Sequence, residues 1–541
     1  NEMFSRVFLF ALESYQYVAR EIDETDSYNY LEILHLGHLK RSEIVKNWVS
    51  LGVVEQIEDE ALYSQIDDFT LRLNSLVRRN VVPPKPIFIL SMLQIFEAYT
   101  PQNIELTSYG HCYQYLVYQA LEKSGIKSND IDKYINVITE LSWEFYNNGK
   151  QLNENHINRF FSQYKKNYVL VGSEKSIMDK LKSNSILLKR DGYYSFKYHY
   201  IYYFFVAKKI AESFTADDGV KEEIRVLLSS LHREESANII IFITHHTKES
   251  WILDEIQLCL MGLFEGQEEA TLSHKSLSFM DEFLAEIPEL VIEHKEIESV
   301  RRERDEIDDD IERSNMEVGD EGDLNEEDGL EPSDILAKIN MVFKGIEIVG
   351  QILRNRHASI HKDLLLQMVE FSTGTGLRFL QYFLDISDVS REEVIRMLEH
   401  MLRENPAIKD RDLEKEAKST FLFLTYGVIF GVLRKISNSI GSKEAGEIYD
   451  DLESKVGTPA IKLINQTIGL QFKKKLDFKK LGELMSEFDS NPTCTRILRE
   501  IVVQHVYMFP VDYKDRQRIQ STVGIPILGQ RLISQQKKMK I

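Results

Sequence analysis

The stretch of sequence that most constrains the fold is residues 186–207, ILLKRDGYYSFKYHYIYYFFVA. Its Asp191-Gly192 pair lies between two runs of apolar and aromatic residues, a pattern that predicts a tight β-hairpin, because Asp and Gly accept the left-handed backbone of such turns. Helical patterns at 155–165 and 173–182 precede the hairpin. Small helices that close on a hairpin indicate a winged helix.

The second half of this stretch, residues 196–207, is an aromatic block. Seven of the ten residues from 196 to 205 are Phe or Tyr, and they cannot all point inward from one short element. A core helix entered from the hairpin accounts for most of them, with the tyrosine hydroxyls reaching polar partners. A surface that stacks nucleic-acid bases would need interleaved Arg and Lys, whereas only Lys197, Lys208 and Lys209 flank the block.

The composition indicates a large, mainly α-helical protein. The chain has 541 residues, enough for three or four domains. It contains only 26 Gly and 11 Pro, which disfavours turn-rich sandwiches, propellers and barrels. The formal net charge of −20 disfavours indiscriminate binding to nucleic acid or anionic membranes. Cys112, Cys259 and Cys494 are far apart in sequence, which predicts no disulfide framework and a reducing, cytoplasmic location.

The hydropathy pattern predicts no membrane-spanning segment. The apolar run 239–243 stops at His245-His246, and the run 421–433 is short and interrupted by polar residues, whereas a spanning helix needs roughly 18 apolar residues. The N-terminus lacks the basic region of a secretory signal. Residues 4–19 already read as a helix, and the first residue is Asn, so we expect further sequence upstream.

A proline-rich elbow interrupts the helical patterns of the N-terminal region. Residues 28–36 carry β-formers and predict a strand, and 40–50 predict the helix after it. The segment Val82-Pro83-Pro84-Lys85-Pro86 then separates a helix near 66–77 from an apolar helix at 87–98. Proline cannot continue a helix but suits its first turn, so these residues predict a rigid elbow. Residues 109–147 are again helical in pattern.

Beyond residue 214 the pattern is almost entirely helical, and we include the β-branched run 238–243 among the helices. The exception is residues 295–333. Eight of the fifteen residues from 317 to 331 are acidic, which predicts a solvated, flexible linker. Ser333 is the predicted N-cap of the next helix, and Ser390 with Glu393 reads as a capping box. The later helices have no regular TPR or HEAT period, so we expect an irregular helical array.

Motif searches find no catalytic constellation. Nowhere does a Gly stand five residues ahead of a Gly-Lys-Ser/Thr triplet, so the chain lacks the Walker A loop of P-loop NTPases. His357 and His361 have the spacing of a zinc-ligand pair, but Ala358 stands where a metalloprotease needs Glu, and no third ligand is evident, so we predict no metal site. For His245-His246 the pattern favours core or capping roles over acid–base chemistry.

Three segments taken in order resemble the STAND ATPases, the NACHT-like signal-transduction class that includes bacterial anti-phage sensors. Residues 30–48 (YLEILHLGHLKRSEIVKNW) resemble the last strand of such an ATPase core and the helix after it. Residues 80–90 (NVVPPKPIFIL) resemble the proline elbow of the helical lid, and 196–207 the motif that closes the winged helix. The likeness covers about residues 1–260, and 261–541 resemble only the generic helical sensor arm of the class.

The resemblance implies a domain plan and a nucleotide-facing surface. In the family, the elbow proline packs on adenine, a role that falls to Pro86, and a residue that is often His faces the phosphate. Here Tyr198 occupies that place and His199 follows it, so either is a candidate. The implied domains are the end of an ATPase core (1–60), a helical lid (61–148), a winged helix (149–214), a helical connector (215–294), an acidic flexible linker (295–333) and a helical sensor domain (334–541).

The function implied by the resemblance is regulatory. The chain would couple recognition of a ligand, for which phage proteins are candidates, to ADP/ATP-controlled rearrangement and homo-oligomerisation, and so activate an N-terminal effector in bacterial antiviral defence. ATP or ADP with Mg would bind the intact protein, whose Walker A loop and effector we expect upstream of Asn1. Two alternatives stay open: a helical-repeat scaffold without nucleotide dependence, and a winged-helix DNA-binding regulator. Against the latter, 173–182 carries Glu and Asp as well as Lys.

Overall fold

The computed structural model is mainly helical, as the composition predicts. It describes residues 35–51, 59–77, 81–98, 108–122, 126, 128–170, 172–215, 217–247, 249–293, 295–317, 331, 333–404, 412–472 and 476–527.

Between residues 35 and 148, the part of the N-terminal region that the structure describes contains five helices and the predicted elbow. The helices are α1 (His38–Ser50), α2 (Asp59–Leu76), α3 (Pro86–Ala98), α4 (Ser108–Glu122) and α5 (Ser128–Asn148). The helix predicted at 4–19 lies outside the described residues. Pro86 is the first residue of α3, where its missing N–H costs no helical hydrogen bond. Of the strand predicted at 28–36, residues 28–34 lie outside the described residues and 35–36 are not in a strand. Instead, the Leu36 amide donates to the Pro84 carbonyl at 3.0 Å.

A small sheet and two short helices follow, in the place predicted for the winged helix. The elements are β1 (Leu152–Asn153), α6 (Glu154–Asn167), α7 (Glu174–Ser183), β2 (Leu187–Arg190) and β3 (Tyr193–Phe196). The strands are antiparallel in the order β1-β3-β2, and Leu187 pairs with Phe196. The predicted hairpin turn is confirmed, since Asp191 and Gly192 have φ of 50° and 84°.

The aromatic block forms a core helix, as predicted. Helix α8 (His199–Ser213) is buried at every position from Tyr200 to Ala207. It packs between α5 and α10 (Glu234–His246), with α9 (Asp218–Ser229) and α11 (Ser250–Gly262) nearby. Because α8 is enclosed, its aromatic residues need no single inward stripe. The β-branched run Ile239–Ile241 is helical in α10, which confirms that prediction too.

The C-terminal region is an irregular helical array. Its helices in the described residues are α12 (His274–Leu277), α13 (Asp281–Glu286), α14 (Ile297–Glu317), α15 (Ile335–Arg356), α16 (Lys362–Val389), α17 (Arg391–Arg403), α18 (Leu413–Ile440), α19 (Gly446–Val456), α20 (Pro459–Phe472), α21 (Phe478–Glu487), α22 (Pro492–Met508) and α23 (Tyr513–Val523). Helix α15 packs on α16 and α18, while α18 also contacts α17 and α20, and α20 contacts α22.

The predicted flexible linker at 295–333 is wrong in its first part. Residues 297–317 form helix α14, and 318–330 lie outside the described residues. The acidic composition favoured side chains in contact with water, whereas several carboxylates of α14 have cationic or N–H partners on other helices.

The structure also differs from the predictions at two helix caps. Helix α15 begins after Asp334, not after Ser333, and the Ser390 side chain makes no capping hydrogen bond to α17.

Within the described residues, one helix is long and apolar enough to cross a membrane. It is α18, which has 28 residues. It includes the run 421–433, which by itself is too short and too interrupted for a membrane-spanning segment. The helix packs on α15, α16, α17 and α20, and Ile429, Leu433 and Ile436 are buried between them. A buried core helix passes the same test of length and composition, and these contacts explain part of the apolar content of α18. Phe423 and Leu424 of the same helix are 62% and 52% exposed.

Candidate functional site

The elbow and the start of α8 meet. The Phe88 ring lies 5.4 Å from the Tyr198 ring and 6.2 Å from that of Tyr200, in both cases edge to face. The Tyr200 amide also donates to the carbonyl of Val81 at 3.2 Å. The structure therefore brings two of the segments singled out in the sequence, 80–90 and 196–207, into direct contact. Of the third, residues 30–48, the described part reaches the elbow through Leu36 and Pro84.

Exposed side chains lie next to this junction in both segments. We define the elbow surface as Pro86, Ile87, Leu90, Tyr198 and His199. Ile87 is 58% exposed and Leu90 42%, and Pro86 and His199 are also exposed. The opposite side of α3 is fully buried through Ile89, Met92 and Leu93. Large apolar side chains that stay exposed together mark contact sites for a partner or ligand.

Tyr198 combines a covered ring with a protonated phenol. It is the N-cap residue of α8, but its side chain makes no capping hydrogen bond. Burial raises the pKa of its phenol above the usual value, so the hydroxyl remains a proton donor at neutral pH. The ring stacks on Tyr200 at 6.0 Å, and the Lys197 ammonium lies 5.6 Å from its centroid. The Tyr198 ring is therefore in contact with its neighbours, and its hydroxyl can donate a hydrogen bond.

His199 is the first residue of α8, and its exposed ring lies 5.9 Å from that of Tyr203. The amino-terminal end of a helix carries partial positive charge, which favours an anion nearby. Both phosphate-sensing candidates therefore lie where a phosphate group would be favoured. Nothing in the geometry selects one of them over the other, and the roles of Pro86, Tyr198 and His199 stay predictions.

The family resemblance predicts that the elbow surface contacts two parts of a nucleotide. An exposed proline beside Ile87 and Leu90 suits the face of a purine, and the start of α8 suits a phosphate. Among the described residues there is no group of three His, Cys, Asp or Glu side chains placed to hold a metal ion.

The histidines of α10 have core roles, as predicted. His245 is 2% exposed, and the His246 ring bonds the carbonyl of Phe204 on α8 at 3.0 Å. Burial, followed by the nearby Arg356 charge, lowers the pKa of His245 to about 3. Burial and then the Lys208 charge lower the pKa of His246 to about 3. Both rings are therefore neutral at physiological pH, and the His246 ring joins α10 to α8.

The pair His357 and His361 does not share a helical face. Helix α15 ends at Arg356, His357 lies in a short 3-10 turn, and α16 begins at Lys362. The His357 ring lies 3.2 Å from the Leu353 carbonyl. The spacing that resembles a zinc-ligand pair therefore spans a break between two helices.

The surface of α7, which a DNA-binding winged helix would present, has mixed charge. Lys182 pairs with Asp179 at 2.9 Å, and Lys165 of α6 pairs with Glu174. Acidic side chains in these pairs offset the lysines that would contact DNA phosphates. The charge of α7 therefore does not favour DNA binding.

Sequence reasoning missed the exposure of Ile87 and Leu90. A signal was present, since the sequence of α3, PIFILSMLQIFEA, is apolar around its circumference. Such a helix is usually buried on all sides. The sequence does not show which neighbours cover α3. The pattern therefore could not distinguish a fully buried helix from one that has an exposed apolar face.

The comparisons with known proteins agree with part of this interpretation. A family model described as Novel STAND NTPase 4 matches residues 150–206, from just before β1 to the middle of α8. The match supports a relationship to the STAND NTPases, and it falls on the hairpin and aromatic block. No curated protein and no solved structure shows a significant match to the chain.

Proposed function

We propose that this chain is the regulatory and sensor portion of a STAND NTPase. In this proposal the region 61–148 is the lid, 149–214 is a winged helix, and the C-terminal array recognises a protein ligand. Recognition changes the ADP/ATP-controlled conformation, and the cytoplasmic protein oligomerises and activates an N-terminal effector in bacterial antiviral defence. Pro86 packs on adenine, and Tyr198 or His199 senses phosphate.

The observation that carries the proposal is the contact between the matched segment and the elbow. The family match ends inside α8, and the start of α8 packs on Phe88 through Tyr198 and Tyr200. A displacement of the elbow therefore acts directly on α8. Helix α8 packs on α10, and α10 packs on α15 of the array. A nucleotide at the elbow surface would thus be linked to the array through consecutively packed helices.

A bound nucleotide would supply the purine ring and the phosphate charge. The chain's own residues would then have three tasks. Pro86 and Ile87 exclude water from one face of the base, the Tyr198 hydroxyl donates to a phosphate oxygen, and the start of α8 adds its dipole. Loss of the terminal phosphate would remove an interaction at the start of α8 but leave the contact between Pro86 and the base. The triphosphate and diphosphate states would therefore differ in how the nucleotide contacts α8.

The test is nucleotide retention in the longest natural polypeptide that contains this sequence. ADP and ATP released from the purified protein are quantified for wild type, Tyr198→Phe, His199→Ala and Pro86→Ala. We expect Pro86→Ala to lower total nucleotide, and one of the other two to change the ADP/ATP ratio. Tyr193→Phe on the exposed hairpin edge is the matched control for Tyr198→Phe.

Two results would point away from this function. If wild-type protein carries and binds no nucleotide, the scaffold alternative gains support. If it binds duplex DNA with a steep salt dependence, the DNA-binding alternative gains support. If nucleotide is bound but none of the three substitutions changes its amount or its ADP/ATP ratio, the family relationship survives and the assigned site residues are wrong.

A further inference from the structure

On helix α14, two isoleucines face solvent while one aspartate and one arginine are largely buried. Ile307 is 58% exposed and Ile311 55%, whereas Asp305 is 8% exposed and the Arg301 side chain 14%. A surface helix normally buries its apolar face. Hydrophobic burial through these isoleucines therefore does not hold α14 in place, and its polar contacts must provide much of the attachment.

One group of contacts joins α14 to α1. The Asp309 carboxylate accepts hydrogen bonds from the backbone amides of His38 and Leu39 in the first turn of α1. These amides have no partner within their own helix, so a carboxylate is favoured there. Gly37 permits the approach, since a Cβ at this position would overlap the Asp309 side chain.

Two ion pairs extend this attachment along α1. The buried guanidinium of Arg41 contacts Glu312 at 3.0 Å, and it also donates to the Val77 carbonyl at 3.1 Å. Lys46 contacts Glu298 at 2.6 Å. The acidic residues of α14 thus meet α1 at its start, its first turn and its last turns.

A second junction joins α14 to α2 and to the array at once. Arg301 forms two parallel hydrogen bonds to the Asp67 carboxylate, at 2.8 and 2.9 Å, and donates to the Met508 carbonyl at 2.7 and 3.0 Å. Its guanidinium lies 4.6 Å from the Tyr63 ring centroid. One side chain therefore links α2, α14 and the end of α22, in the bidentate geometry that gives strong pairs.

The chain just before α14 is fixed to the array. The Ile292 amide donates to the Pro526 carbonyl at 3.0 Å, and the Glu293 amide donates to the Tyr507 hydroxyl at 3.0 Å. Helix α14 can therefore separate from α1 and α2 while its start remains attached to the C-terminal region.

We propose that α14 is a charge-held clasp that fastens α1 and α2 to the C-terminal array and opens when its ion pairs are weakened. Opening frees α1 and α2 from α14 but leaves the helices of the array packed. The inference is independent of any nucleotide, so it stands or falls separately from the function proposed above.

The test is amide hydrogen exchange of the full chain without nucleotide, in wild type and in four variants. Arg301→Gln and Asp309→Asn remove clasp contacts. Arg302→Gln and Asp310→Asn are the matched controls on adjacent residues, where Arg302 is 65% exposed and Asp310 71%. We expect exchange in α14 and at His38 and Leu39 to accelerate about tenfold or more in the clasp variants, with the controls and helix α16 unchanged.

A salt series requires no substitution and covers the case in which a variant fails to fold. In wild type, raising NaCl from about 0.05 to 0.5 M should accelerate exchange in α14 and α1 selectively, because screening weakens partly exposed ion pairs. The clasp is refuted if neither the two variants nor salt accelerates exchange there. It is equally refuted if α16 accelerates in parallel, or if the two controls behave like the clasp variants.

Discussion

Mild acid should loosen α10 through His245 and His246. Both have a pKa of about 3 in the folded protein, against an ordinary value of 6.5. Because the folded state keeps these rings neutral, their contribution is complete above pH 6.5 and declines as the pH falls from 6.5 towards 3. The groups that face the pair, Arg356 and Lys208, are cationic and oppose protonation further.

The size of the effect follows from the two pKa values. Below pH 6.5 each histidine should cost about 1.4 kcal/mol per pH unit in folding free energy. Between pH 7.5 and 5.5 we therefore expect a loss of about 1.4 kcal/mol for each ring, and about 3 kcal/mol for both. His246 is less completely covered than His245, so the figure for the pair is an upper value.

The assay is native-state hydrogen exchange of α10, measured at pH 7.5 and 5.5 and corrected for the intrinsic exchange rate. His246→Gln should remove about half of the pH dependence, because glutamine can still bond the Phe204 carbonyl but takes up no proton in this range. His400→Gln, at a side chain 74% exposed, is the control and should leave it unchanged. Wild-type pH dependence in both His246→Gln and His245→Gln would refute the reasoning.

Four further substitutions test side-chain packing and backbone conformation. Phe88→Ala should cost about 2 kcal/mol and accelerate amide exchange at the start of α8, because it removes two edge-to-face ring contacts, whereas Ile87→Ala at the exposed neighbour should change stability by less than about 0.5 kcal/mol. Gly350→Ala should lower the midpoint of thermal unfolding by several degrees, because a Cβ there would overlap the Ser439 carbonyl of α18. Gly431→Ala, in an open position of α18, should raise stability by about 0.5 to 1 kcal/mol in denaturant titration.

The parts of the fold that the sequence predicted well depend on local chemistry. Asp191-Gly192 defines a turn whatever surrounds it, and Pro86 is confined to the first turn of a helix. The aromatic block was interpreted correctly as a core helix, because no short exposed element could accommodate so many rings. For the candidate site, Pro86, Tyr198 and His199 come from the family resemblance and their roles stay predictions, whereas the contact through Phe88 required the structure.

The parts that the sequence predicted poorly depend on partners far away in the chain. Residues 295–317 have the composition of a solvated linker, and their helix is explained by partners some 230 to 270 residues earlier, such as Asp67 for Arg301 and His38 for Asp309. No local pattern encodes those pairings. A count of charges therefore cannot distinguish a solvated acidic linker from an acidic helix that forms ion pairs with distant residues.

Aromatic packing at the elbow and ion pairs along α14 should respond differently to salt. The elbow is joined to α8 through aromatic rings, α8 packs on α10, and α10 packs on α15 of the array. These contacts depend little on salt. Helix α14 is joined to α1 and α2 mainly through ion pairs and hydrogen bonds, several of them partly exposed, and these weaken with salt. Moderate perturbation should therefore separate α14 from α1 and α2 before it separates the elbow from α8. A change at the elbow surface should therefore reach the array through α8 and α10. Whether α1 and α2 move together with the array should depend on whether α14 is attached to them.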